Sequence, residues 1–146
     1  MQKELRLYPR LSQWIVQSFV RVLAVYGIVQ GTFIIAGGTT RWSGNSLEVA
    51  LRVPGSPATW GIVIAVAGTL SIVGSISGRL QLVVIGMFLS SAWSAFFAIC
   101  FMIGAVINEA TALTAIFTYI ALSVLFALLG VAYRESDTQE QKWSQE

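Results

Sequence analysis

Histidine is absent from the 146 residues, and cysteine occurs once, as Cys100. The first absence removes the commonest general base and the commonest metal ligand. The second removes any internal disulfide and any thiolate metal site. With Ile99 and Phe101 on either side, Cys100 reads as a packing residue rather than a reactive thiol. Charge is also scarce: Asp, Glu, Lys and Arg make up 11% of the chain, against about 25% in an ordinary soluble domain. The net charge of +2 is too small and too dispersed for a nucleic-acid surface. No catalytic residue, metal-ligand set or cofactor contact can be named from such a composition, which argues against an enzyme.

What the chain has in quantity is apolar length. Hydrophobic residues account for 55% and the mean hydropathy is +0.73. Between Ala58 and Tyr133 the only Asp, Glu, Lys or Arg residues are Arg79 and Glu109, and both fall between apolar runs. A run of about 18 or more such residues is long enough to cross a hydrocarbon layer of ~30 Å. The pattern predicts an all-α integral membrane four-helix bundle with spans over residues 22–38, 58–76, 80–104 and 110–133. Pro57 belongs at or just before a helix start, and Gly78 at a helix end, where the left-handed conformation is needed.

Lysine and arginine set the orientation. An even number of spans puts both termini on one side, which receives Lys3, Arg6, Arg10, Arg21, Arg79, Arg134 and Lys142, seven of the nine basic residues. Arg41 and Arg52 fall on the other side. Both termini are therefore expected in the bacterial cytoplasm, with residues 39–57 as the sizeable external loop and a short external turn at Asn108 and Glu109. A competing interpretation takes the basic start and first apolar run as a secretory signal cleaved after Gly38. Against it, about twenty residues precede the apolar core and already include Trp14, Ile15, Val16, Phe19 and Val20, which is long for a leader.

Residues 1–21 are expected to form a short amphipathic lead-in at the interface. Leu11, Trp14, Ile15, Ser18, Phe19 and Val22 make an apolar stripe, with Arg10, Gln13, Gln17 and Arg21 mostly opposite. Arg21 is expected to anchor at headgroup depth; a role as an ion or substrate partner would need a buried carboxylate in a helix, and the sequence supplies none. Trp14, Trp42, Trp60 and Tyr133 are the other expected interface anchors, with Tyr8 on the same side as Trp14. Trp93 falls within the third span, so its indole N–H needs a serine or carbonyl on another helix. Glu109 is placed to cap the fourth helix. Residues 134–146 read as a polar, solvated cytoplasmic tail.

The second span carries Gly61, Ala65, Gly68, Ser71, Ser75 and Gly78 at steps of three and four residues, and the third carries Gly86, Ser90, Ser94 and Ala98 at steps of four. In lipid such rows let backbones approach and gain dispersion contacts. The short break between the spans predicts that the two rows face each other. Alternatively, Thr69, Ser71, Ser75, Ser90, Ser91 and Ser94 line water as a weakly polar pore face; packing is the reading preferred.

The run Arg41, Trp42, Ser43, then Pro54, Gly55, Pro57, Thr59, Trp60, Gly61, and later Gly78 and Arg79, resembles small four-span membrane proteins encoded by bacteriophages of actinobacteria. Relatives of that general type are described as holins or holin-like proteins. The resemblance spans residues 41–134 and carries no catalytic residues. It implies a phage product that accumulates in the host cytoplasmic membrane, associates through its small-residue rows into homo-oligomers and permeabilises the bilayer. The competing class is a non-lytic membrane module, either a scaffold for another membrane protein or a factor that alters host susceptibility to a second phage. That module would use the 39–57 loop, with Arg41, Asn45, Glu48 and Arg52, for recognition.

Overall fold

The computed structural model describes residues 7–41, 56–107 and 113–143, with side chains given within 14–37, 56–107 and 113–135. Four helices follow in order: α1 Leu7–Arg41, α2 Ala58–Ser77, α3 Leu80–Ile107 and α4 Leu113–Trp143. Each holds a stretch long and apolar enough to cross a membrane, Trp14–Gly37, Ala58–Ser77, Leu80–Ile107 and Leu113–Glu135. At ~1.5 Å per residue even the shortest spans ~30 Å.

Local chemistry explains the boundaries. Pro57 is the N-cap of α2, and its carbonyl accepts the Gly61 N–H at 3.2 Å. Gly78 ends α2 at φ 67°, ψ 18°, in the left-handed region. The N–H groups of Gly78 and Arg79 both close on the Gly74 carbonyl, the latter at 3.0 Å, so the chain reverses within two residues and α3 starts at Leu80. The other helices outrun their sequence bounds. No glycine or proline separates Leu11 from Val22, so the expected lead-in and first span form one helix, with Pro9 tolerated in its first turn. The third span runs on to Ile107. Beyond Gly130 nothing interrupts the ladder either, and the segment expected as a polar tail continues α4 through Trp143.

Consecutive helices pack side by side, whereas α1 and α4 touch over a short stretch only and α1 barely meets α3. The core has two ends. At one, Val20 and Ala24 of α1 meet Val83 and Met87 of α3 and Phe126 and Tyr133 of α4, with Ile72 of α2 against them. At the other, Ile34, Ile64 and Ile116 close on Trp93, Phe97, Cys100 and Phe101 of α3. Early α1 thus shares an end with late α4, and the helices alternate in direction.

Candidate functional site

The small-residue rows sort onto two interfaces rather than one. Glycine has no Cβ, and at the crossing of α1 and α2 that space is taken by the other backbone. A Cβ on Gly31 would lie 2.5 Å from the Gly61 carbonyl oxygen, and one on Gly61 would lie 2.7 Å from that of Gly31. Ala65 touches the same place on Gly31, and a Cβ on Gly68 would lie 2.5 Å from the Ala24 carbonyl oxygen. Gly61, Ala65 and Gly68 therefore pack on α1, correcting the expectation that they face α3. Their counterparts Ala24, Gly27 and Gly31 form a small-residue row on α1 that the sequence reading passed over.

The contact with α3 uses the adjoining strip of α2. A Cβ on Gly86 would collide with the Ser71 hydroxyl and lie 2.6 Å from the Ala67 carbonyl oxygen, and one on Gly74 would lie 2.7 Å from the Val83 nitrogen. Of the expected pairing, Ser71 with Gly86 is the part these close approaches include. Ser90, Ser94 and Ala98 are buried. Gly78 leaves the row altogether: it is exposed, nothing would lie within 4 Å of an added Cβ, and its role is the backbone reversal.

The hydroxyls proposed for a pore face are held elsewhere. Ser71 donates to the Ala67 carbonyl at 3.0 Å, Ser90 to Gly86 at 2.9 Å and Ser94 to Ser90 at 2.9 Å, all three buried within the bundle. Ser91 crosses to α4 and donates to the Ser123 carbonyl at 2.8 Å. Thr69 points outward and donates to the Ala65 carbonyl at 2.8 Å. These groups do not line a common water-filled face within one molecule.

The anchors divide similarly. Trp14 is 67% exposed on the outside of α1. Arg21 is exposed, and its Nε donates to the Ser75 Oγ at 2.9 Å, bracing α1 against the last turn of α2. Trp60 lies in a ring cluster, stacked on Phe96 at 4.4 Å and edge-on to Phe97 at 5.8 Å. The cluster extends through Trp93 and Phe97 to Tyr119, which stacks on Phe101 at 5.4 Å. The Trp93 Nε1–H donates to the Trp60 carbonyl at 3.0 Å, the inter-helix carbonyl its position called for. Tyr133 is 7% exposed and packs inside the core, so burial rather than an outward belt position describes it. Cys100 is buried in the aromatic end. Trp42, Glu109 and most of the 39–57 loop lie outside the described residues.

Among the described residues no group of three His, Cys, Asp or Glu side chains is placed to hold a metal ion. Sequence reasoning also missed Tyr26 and Gln30, two polar side chains on α1 within the Trp14–Gly37 stretch. Comparison with protein-family models, curated proteins and solved structures gives no match to this chain. The class is carried by the architecture alone: four apolar, membrane-length helices with large apolar side chains such as Val22, Ile76, Ile85 and Leu128 on their outer faces make this a small polytopic membrane protein.

Proposed function

We propose that the protein is a holin-like permeabiliser of the bacterial cytoplasmic membrane, encoded by a phage, with both termini in the cytoplasm, and that it acts by association of copies rather than by catalysis. The observation that carries the membrane part is the apolar exterior on all four spans, which suits a body that works within the bilayer. The resemblance in residues 41–61 and 78–79 supplies the holin-like part.

The arrangement of the seams changes how such a protein would assemble. Gly31, Gly61, Gly68 and Gly86 are consumed by contacts within one molecule. The interior of each copy is filled by its two side-chain clusters. Leakage therefore proceeds between copies, along outer helix faces, and not through a lumen in one bundle. Complementation tests this reading: expression in cells infected by a holin-deficient phage is expected to restore timed lysis. Accumulation in the membrane with no lysis would contradict it and favour the non-lytic membrane module.

A further inference from the structure

Among the residues whose side chains are described, the charged ones are Arg21, Arg79, Arg134 and Glu135. Val20, Leu80 and Tyr133, the chain neighbours of the three arginines, share one core cluster, so these charges gather at a single end of the bundle. Arg21 is held there by its Nε, which donates to the Ser75 Oγ at 2.9 Å in the last turn of α2. The two terminal nitrogens of its guanidinium remain, and among the described residues they meet no carboxylate. Arg79 is brought to the same level by the chain reversal. Its backbone N–H closes on the carbonyl of Gly74, next in chain to Ser75, and its side chain is exposed, with no ion pair among the described residues. Arg134 already has a partner.

Depth identifies the ligand. At ~1.5 Å per residue α2 is about as long as the hydrocarbon layer is thick, so its last turn and the reversal at Gly78 fall at the hydrocarbon edge. Lipid phosphates lie within reach of an arginine stem at that level. Two guanidiniums gathered there without a carboxylate repel each other and favour an anion between them. The terminal N–H groups of a guanidinium form a planar fork that matches two phosphate oxygens. A headgroup with its own ammonium would add a further cation to the site, whereas a glycerol headgroup adds negative charge alone.

We propose that Arg21, braced by Ser75, and Arg79 form a site for the phosphate of one anionic phospholipid at this end of the bundle. The inference goes beyond permeabilisation and does not depend on it, since it rests on insertion in a bilayer and holds for either orientation of the chain.

The test is native mass spectrometry of the full chain released from micelles doped with phosphatidylglycerol or phosphatidylethanolamine. The unaltered chain is expected to retain one phosphatidylglycerol about tenfold more strongly than phosphatidylethanolamine. Arg21→Lys keeps the net charge but loses the planar fork and the bond to Ser75, and is expected to weaken phosphatidylglycerol binding about tenfold, as is Arg79→Gln. Ser75→Ala is expected to weaken it about threefold and Ser75→Thr, which keeps the hydroxyl, to restore it; bulk charge alone would produce neither effect. Equal retention of the two lipids, or binding indifferent to Arg21→Lys, would overturn the proposal. Displacement of the lipid by inorganic phosphate would overturn it too, by assigning the site to a free anion. Arg79→Gln alters an exposed side chain and is expected to leave the thermal midpoint unchanged, so a loss of binding in that variant is not misfolding.

Discussion

Single atoms decide how near α1 and α2 come. Gly31→Ala puts a methyl group against the Gly61 backbone, which cannot swing aside as a side chain would, and the expected loss is about 1–3 kcal/mol in denaturant titration in micelles. Gly130 is the contrast, because its nearest neighbour is the Met87 Cβ at 3.3 Å; Gly130→Ala should change stability by less than about 0.5 kcal/mol in the same titration. Gly78→Ala meets no atoms but forces a left-handed alanine, and about 1 kcal/mol is expected from backbone strain alone. Trp93→Phe keeps the ring and loses the N–H to the Trp60 carbonyl, for roughly 0.5–1.5 kcal/mol. A Gly130→Ala loss as large as that of Gly31→Ala would show that close backbone approach is not what these glycines provide.

The four helices were legible in the sequence because apolar length and the Pro57 and Gly78 signals are local properties. Their partners were less so. The steps of three and four in α2 marked small positions correctly but ran two adjacent strips together, since Gly61, Ala65 and Gly68 face α1 while Ala67, Ser71 and Gly74 face α3. The two-residue turn drew attention to α3, and the longer connection to α1 gave no comparable cue for Ala24, Gly27 and Gly31. The neighbours of Trp60 and Tyr133 were hidden for a related reason. Position near a span end suggests a headgroup belt, but ring stacking and burial depend on neighbours that composition does not name. If α1 is held mainly by its seam with α2, a Gly61→Leu, Gly68→Leu double variant should detach α1 while α3 and α4 stay paired. Hydrogen exchange would report this as faster exchange in residues 14–37, with little change in residues 80–107.

For the molecule as a whole, the small residues that looked available for assembly turn out to be used internally. An arginine braced by Ser75 and a filled aromatic end describe a body that is closed within itself. The central claim, that copies together breach the membrane, is tested most directly by recording membrane potential in single bacteria during induced expression. The account predicts a sustained potential until a threshold amount accumulates and then an abrupt collapse. A potential that holds at high expression, with the protein demonstrably in the membrane, would contradict it.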